Sequence, residues 1–221
     1  MYSYKKLSLD YNILPPKVNG EGLNDSNPPL LLMLHGFGAN KDDLFSFANM
    51  LNPKYLKIAA QAPYEVYMPG SRAWYNLYVN GNEYQPNNEE AQKSIDLLKI
   101  FIIELKSTFN ISEVNLLGFS QGAILSYALS LSEPKKYNKV FALSGYVDAD
   151  LIQLPDNKYD LDNLELFISH GSYDDVIPFQ KAKSSYVFLD NNKIKYQAKE
   201  YPMAHGINEE CLNDIMKILN D

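Results

Sequence analysis

The sequence predicts a mostly parallel β-sheet covered by helices on both faces, within a single domain that spans residues 1–221. Two patterns predict this α/β class: short apolar runs recur along the chain, and segments of helical periodicity separate them. The length of 221 residues is that of one generous domain, and a hydrophobic content of 46% is enough for one core. Sheets of this kind have right-handed crossovers and bind ligands at the carboxyl ends of their strands.

The strands are predicted from the apolar runs. Leu7, Leu9, Tyr11 and Ile13 alternate with polar residues, which predicts an edge strand or a hairpin with one buried face. A segment rich in Pro, Gly, Asn and Asp follows at residues 15–29 and predicts a loop. Buried strands are then predicted at residues 29–34, 56–60, 114–117, 140–143 and 164–168, with a final strand at 194–199.

Helices are predicted between these strands. Asn40 can cap a helix whose apolar face continues to Leu51, and Asn88 can cap a longer helix whose apolar face continues to Leu105. The other predicted helices cover residues 121–131, the segment from Pro178 to about residue 189, and the C-terminal residues 207–219.

Charge and the rare residues exclude several function classes. The chain has 20 Lys and Arg against 27 Asp and Glu, so it lacks the basic surface of a nucleic-acid-binding protein. A single cysteine, Cys211, forms no internal disulfide and cannot supply the sulfur ligands of a zinc or iron–sulfur site. The three histidines, His35, His170 and His205, lack metal-ligand spacing such as H-E-x-x-H, so we predict neither a metal nor another cofactor.

The N-terminal residues contain no apolar run of signal-peptide length, and the longest purely apolar run is far shorter than the roughly 20 residues of a membrane span. We therefore predict a cytoplasmic protein without stable membrane insertion.

The segment after the strand at residues 114–117 carries the clearest chemical signal. Residues 118–122 read GFSQG, a G-x-S-x-G motif between a predicted strand and a predicted helix. A serine on such a sharp turn has a strained backbone and needs small neighbours, and the turn lifts its hydroxyl above the sheet. Ser120 is therefore the predicted nucleophile. The alternative, an ordinary glycine turn, does not account for the flanking strand and helix.

A serine nucleophile needs an imidazole base and a carboxylate that orients the imidazole. His205 follows the last predicted strand, and Asp174 and Asp175 follow the strand at residues 164–168. The resulting order of serine, aspartate and histidine is the one found with this motif. Either aspartate could instead cap the next helix; we predict that Asp174 is the acid and that Asp175 is the cap.

Two backbone N–H groups are needed to stabilise the oxyanion of the tetrahedral intermediate. We predict that Gln121, directly after the nucleophile, supplies one and that Phe37, in the glycine-rich loop after the strand at residues 29–34, supplies the other. A phosphate-binding loop is the alternative, but neither G-K-S/T nor a full G-x-G-x-x-G follows.

Together these motifs resemble the phospholipase and carboxylesterase family of small α/β-hydrolases, which includes bacterial carboxylesterases and acyl-protein thioesterases. The resemblance extends from about Leu30 to the C terminus and rests on LHGFGAN, AQAP followed by AWY, GFSQG, ALSG, HGSYDDVIP and MAHGI. It implies an α/β-hydrolase fold, which in a chain of this length leaves no room for a large cap domain. It also implies that Asp174 is the acid, although family members often have proline where this chain has Asp175.

The resemblance further implies that residues 61–86, an irregular segment rich in aromatic residues, lie over the active site. Trp74 and Tyr75, together with Phe37, are then expected to line an acyl pocket. The alternative is that these aromatic side chains anchor a long loop to the body of the domain.

We therefore predict a serine carboxylesterase that hydrolyses short- to medium-chain esters of small molecules through an acyl-enzyme intermediate. An acyl-protein thioesterase or a lysophospholipase with the same triad is the alternative within this chemistry. A metal hydrolase and a non-catalytic binding protein on a hydrolase scaffold are the alternatives outside it. His35 and His170 are expected to order the oxyanion loop and the acid loop through hydrogen bonds.

Overall fold

The computed structural model describes residues 4–18, 21–22, 27–81 and 83–220. The strands among these residues are β1 (Tyr11–Leu14), β2 (Lys17–Val18), β3 (Glu21–Gly22), β4 (Leu30–Leu34), β5 (Leu56–Ala60), β6 (Tyr64–Glu65), β7 (Arg72–Ala73), β8 (Leu77–Asn80), β9 (Glu83–Pro86), β10 (Val114–Phe119), β11 (Lys139–Leu143), β12 (Glu165–Gly171) and β13 (Gln197–Tyr201). The helices are α1 (Asp42–Phe45), α2 (Asn88–Phe109), α3 (Gln121–Ser132), α4 (Phe179–Asn191) and α5 (Glu209–Asn220), with short 3-10 helices at Pro134–Lys136, Ala149–Leu151 and Lys158–Leu161.

Seven strands of the described residues form the central sheet in the order β1-β5-β4-β10-β11-β12-β13. All neighbouring pairs are parallel except β1 with β5, which is antiparallel at one edge. The strand order reverses between β4 and β10, since the chain leaves β4 toward β5 and returns to β10 on the other side. Loops that follow the two strands at such a switch point face each other across a crevice. The predicted α/β class is confirmed.

The two faces of the sheet are covered by different helices because side chains alternate along each strand. In β4, Leu30, Leu32 and Leu34 belong to an apolar cluster that includes side chains of α2, α3 and α4, whereas Leu31 and Met33 belong to a second cluster that includes side chains of α1 and α5. A central strand of this kind is apolar throughout, since neither face contacts water. This explains why the apolar runs of the sequence predict the central strands.

Several predicted boundaries are wrong, each for a local reason. The last strand begins at Gln197, because Lys193 has a positive φ of 57° and the N–H of Ile194 bonds to the carbonyl of Leu189 in the turn that ends α4. The N-terminal strand is an edge strand that begins at Tyr11. The loop predicted at residues 15–29 contains a short hairpin of β2 and β3.

The predicted first helix is also wrong in length, because α1 ends at Phe45. In the turns that follow, N–H groups bond to the carbonyl three residues back, as Phe47 does to Leu44. The cap of α2 is Asn87, whose side chain accepts a hydrogen bond from the N–H of Glu90, one residue before the predicted Asn88.

None of the helices formed by the described residues combines the length and the apolar character needed to cross a bilayer. The cytoplasmic location stays a prediction.

The start of α3 packs directly on the end of β4. A Cβ atom at Gly122 would lie 1.9 Å from the carbonyl oxygen of Leu34, and one at Gly118 would lie 2.3 Å from the carbonyl oxygen of Gly122. Both distances are far below van der Waals contact, so only glycine allows this approach of helix and strand.

We predict that Gly122→Ala destabilises the protein by about 3 kcal/mol or more, because the added methyl group must push α3 away from β4. The measurement is the free energy of unfolding from urea denaturation. Gly206→Ala is the matched control, since a Cβ atom there meets no described atom within 4 Å. Equal stabilities of the two variants would contradict this account of the packing.

Candidate active site

Ser120 lies on the turn between β10 and α3 with φ 55° and ψ −116°. Such values are strained for a residue with a side chain, and strain of this kind persists only when the surroundings hold it. The N–H of Ser120 donates to the carbonyl of Leu143 at 2.9 Å, which ties the turn to the end of β11. The side chain is thereby held above the carboxyl edge of the sheet.

The side chains of Ser120, His205 and Asp174 form one hydrogen-bonded chain. His205 Nε2 lies 3.0 Å from Ser120 Oγ, and His205 Nδ1 lies 2.7 Å from Asp174 Oδ2. Because a carboxylate oxygen only accepts hydrogen bonds, the proton of the neutral ring belongs on Nδ1. The lone pair of Nε2 then faces the serine hydroxyl. Three residues that the sequence predicts separately therefore meet in the folded chain.

Asp174 is held in place by the loop that carries it. Its Oδ1 accepts the N–H groups of Val176 and Ile177 at 3.0 and 2.8 Å, while Oδ2 faces His205. Its side chain is fully buried. Two backbone donors and the imidazole thus fix both oxygens of the carboxylate.

Asp175 is exposed and does not cap α4. The residue before this helix is Pro178, and no side chain caps its first turn. The predicted capping role of Asp175 is therefore wrong, because the loop turns its backbone N–H groups toward Asp174 before the helix begins.

The backbone N–H groups of Phe37 and Gln121 donate no hydrogen bond to any residue that the structure describes. Both residues line the cavity that contains Ser120 and His205. Free N–H groups beside a nucleophilic hydroxyl are the donors that an oxyanion requires.

The loop that carries Phe37 is fixed by contacts that the sequence does not reveal. The N–H of Gly38 donates to the carbonyl of Arg72 at 2.8 Å, and the N–H of Arg72 donates to the carbonyl of Ala39 at 2.8 Å. Ser71 Oγ adds a hydrogen bond to the carbonyl of Gly38 at 2.6 Å. The hairpin of β6 and β7 therefore holds the loop from the outside.

The side chain of Gln121 ties the segment above the site to α3. Its Nε2 donates to the carbonyl of Tyr75 at 2.7 Å, and its Oε1 accepts the N–H of Trp74 at 3.0 Å. The sequence motif identifies Gln121 only through its backbone. A polar residue at the start of a fully buried helix is the signal that could have indicated this second role.

Trp74 and Tyr75 lie side by side but face different surroundings. The Trp74 ring is fully buried, its Nε1 donates to the carbonyl of His35 at 2.9 Å, and it does not line the cavity of Ser120. Tyr75 lines that cavity, as does Phe37. The contacts of Trp74 are thus those of an anchor, whereas Tyr75 and Phe37 are placed to touch a ligand.

The cavity has a volume of about 420 Å³ and is bounded mainly by apolar side chains. The segment expected to be irregular contains two short hairpins, β6 with β7 and β8 with β9. The second hairpin contributes Leu77, Tyr84 and Pro86 to the cavity wall.

His35 and His170 bond to the loops beside the site. His35 Nε2 accepts the N–H of Ala62 at 3.2 Å, so its proton is on Nδ1, which donates to the carbonyl of Gly36 at 2.8 Å. Burial lowers the pKa of His35 to about 4. His170 Nε2 lies 2.8 Å from the carbonyl of Ile177 and 3.3 Å from Asp174 Oδ2.

Ser144 bonds to the loop that carries His205, a role that sequence reasoning missed. It has a positive φ of 51°, its N–H donates to the carbonyl of Ser169 at 2.8 Å, and its Oγ donates to the carbonyl of Gly206 at 3.3 Å. Its place in ALSG, directly after a predicted strand, is the signal that could have marked it.

The chain is similar to proteins of one family. A model described as Phospholipase/Carboxylesterase matches residues 22–221. The acyl-protein thioesterase 1 of Candida albicans is 30% identical over 213 residues, and that of Kluyveromyces lactis is 27% identical over 212 residues. Each match covers 86% of this chain and 90% of the relative. The crystal structure of the Bacillus cereus carboxylesterase has the same fold, with a TM-score of 0.76 at 17% identity over 96% of this chain and 93% of that chain.

We predict that the buried, neutral His35 makes the protein less stable in mild acid. Its pKa is about 4 in the folded protein against 6.5 for an exposed histidine. Between these two values, the unfolded chain binds a proton at this position and the folded protein does not. Between pH 7 and pH 5, the wild type should lose about 2 kcal/mol more unfolding free energy than His35→Gln. Urea denaturation at both pH values measures this difference.

The variant keeps every other titratable group, so its own pH dependence serves as the reference. Parallel losses of stability in the two proteins would show that His35 is not held neutral by burial.

Proposed function

This chain belongs to the phospholipase/carboxylesterase family and is a carboxylic ester hydrolase of the serine type, and we propose that Ser120, His205 and Asp174 are its catalytic triad. The observation that carries the proposal is the continuous hydrogen-bonded chain from Ser120 Oγ through both nitrogens of His205 to Asp174 Oδ2. We further propose that one domain of residues 1–221 carries this activity.

In the acylation step, Ser120 Oγ attacks the carbonyl carbon of the substrate while His205 Nε2 takes the hydroxyl proton. The imidazolium ion formed in this way keeps its Nδ1–H hydrogen bond to Asp174, whose negative charge stabilises it. His205 then donates its Nε2 proton to the leaving alcohol or thiol. The two backbone donors on Asp174 Oδ1 keep the carboxylate aimed at the ring throughout.

The negative charge on the carbonyl oxygen is stabilised by the N–H groups of Phe37 and Gln121. Preorganised donors of this kind are worth about 3 kcal/mol each in related chemistry, since they need no reorganisation during the reaction. The acyl-enzyme is then hydrolysed by the same steps, with a water molecule in place of the serine hydroxyl and His205 again as base.

The substrates that we propose are short- to medium-chain carboxylic esters of small molecules. An apolar cavity of about 420 Å³ beside Ser120 supports this range, because it offers apolar contact to an acyl chain of limited length. Thioesters are the second candidate class, since the two fungal relatives are named acyl-protein thioesterase 1. A lysophospholipid would be cleaved by the same chemistry.

We predict that the wild type hydrolyses aryl esters and that Ser120→Ala lowers kcat by about 10⁴-fold or more, because the variant lacks the attacking oxygen. The measurement is a panel of aryl esters from acetate to dodecanoate, alongside an acyl thioester and a lysophospholipid. The relative kcat/KM values assign the substrate class.

Ser184→Ala is the control for this replacement, because Ser184 is an exposed serine of α4. Appreciable hydrolysis by Ser120→Ala would point to a different nucleophile. Loss of activity in Ser184→Ala would show that a serine replacement acts through the fold.

We also predict that Asp174→Asn and Asp175→Asn differ sharply. Asparagine at position 174 is neutral, so it does not stabilise the imidazolium ion, and it leaves the His205 ring in the wrong tautomer. We therefore expect kcat to fall by about 10³- to 10⁴-fold. Asp175 is exposed and is not bonded to His205, so its variant should keep the wild-type kcat. The reverse order of the two activities would assign the acid to Asp175.

A further inference from the structure

One charged side chain stands out in the cavity beside Ser120. Among the described residues that line this cavity, Lys181 is the only lysine, arginine, aspartate or glutamate. The protein as a whole carries a net charge of −7, so an anion is not attracted to it in general. Lys181 is an exposed residue, so its positive charge lies at the solvent-accessible side of an otherwise mainly apolar cavity.

The ammonium group of Lys181 makes a cation–π contact, since its Nζ lies 4.5 Å from the centre of the Tyr146 ring. It forms no ion pair with a described residue, so its N–H groups are available to a ligand. Its position in the first turn of α4 does not stabilise that helix either, because the positive end of a helix dipole disfavours a cation. The positive charge of Lys181 partly offsets the rise that burial causes in the pKa of Asp148, but Asp148 does not line the cavity.

Two tyrosines, Tyr75 and Tyr146, line the same cavity as this lysine. Tyr75 is 1% exposed and Tyr146 is half-buried, and neither hydroxyl group makes a hydrogen bond to a residue that the structure describes. Both hydroxyl oxygens are accessible to solvent, so they are available to a ligand in the cavity. Burial, together with the charge of Asp148, raises the pKa of Tyr146 to about 12, so this hydroxyl remains a hydrogen-bond donor.

We propose that Lys181, Tyr75 and Tyr146 form a subsite for an anionic group of the substrate, a carboxylate or a phosphate. The ammonium group supplies the opposite charge and the two hydroxyls supply donors, which is the combination that an oxyanion binds best. This inference rests on the proposed function, because the anionic group belongs to the ester that Ser120 attacks. The enzyme then prefers anionic esters to neutral esters of the same size.

The test compares matched pairs of substrates. In one pair the carboxylate is on the acyl chain, mono-4-nitrophenyl adipate against 4-nitrophenyl hexanoate. In the other pair a phosphate is on the alcohol, 1-hexanoylglycerol 3-phosphate against 1-hexanoylglycerol. In at least one pair, Lys181→Met should lower the ratio of the anionic to the neutral kcat/KM by about ten- to a hundredfold. The pair that responds identifies the anion.

Three further variants separate charge from structure. Lys181→Arg keeps the charge and should keep most of the preference, and Tyr75→Phe should lose a smaller part, about two- to tenfold. Lys183→Met is the matched control, because Lys183 lies on the same helix, contacts the Phe179 ring and does not line the cavity. Its ratio should equal that of the wild type.

A ratio that Lys181→Met leaves unchanged in both pairs, with neutral esters still hydrolysed, would overturn the subsite and leave the proposed function standing. Absence of hydrolysis with all four substrates would instead overturn the proposed function. In that case calorimetry on Ser120→Ala still decides the subsite, since it needs no turnover. Monomethyl adipate should bind more tightly than methyl hexanoate, and Lys181→Met should remove the difference.

Discussion

The site depends on the close approach of α3 to β4 at the point where the strand order of the sheet reverses. With no side chain at Gly122, the start of the helix rests against the carbonyl of Leu34. This contact brings the turn that bears Ser120 and Gln121 beside the loop that bears Phe37, so all three residues line one cavity. The strain at Ser120 is tolerated because its N–H is bonded to β11 and its helix is buried on all sides.

Around this contact, buried polar groups hold the loops in place with little help from secondary structure. Gln121 bonds to the backbone of the segment above it, the ring of Trp74 bonds to the carbonyl of His35, and His35 bonds to the N–H of Ala62. Each of these groups would be costly to bury alone, so each fixes the position of its partner. These hydrogen bonds connect the segments around an apolar cavity in which Lys181 is the one lysine, arginine, aspartate or glutamate among the described lining residues.

Much of the architecture can be predicted from local patterns. The apolar runs predict the central strands because both faces of the sheet are buried, and GFSQG between a strand and a helix marks the turn of Ser120. Local patterns fail where the backbone is set by distant contacts. The strands of the segment at residues 61–86 are too short to have a period, and the first helix ends early because its hydrogen bonds change to shorter turns. The predicted cap at Asp175 fails for a related reason. The N–H groups of Val176 and Ile177 bond to the side chain of Asp174, and Asp175 caps no helix.

By itself, the sequence determined the α/β class, the family and the three residues proposed for catalysis, because each depends on periodicity or on residue types at short spacing. Only the tertiary structure decided that Trp74 is buried as an anchor whereas Tyr75 lines the cavity. It also decided that the Gln121 side chain bonds to the backbone of both residues, and that Lys181 lines the cavity together with two tyrosine hydroxyls. The physical reason is that these roles follow from partners far apart in the chain, which meet only when the sheet and its helices are packed.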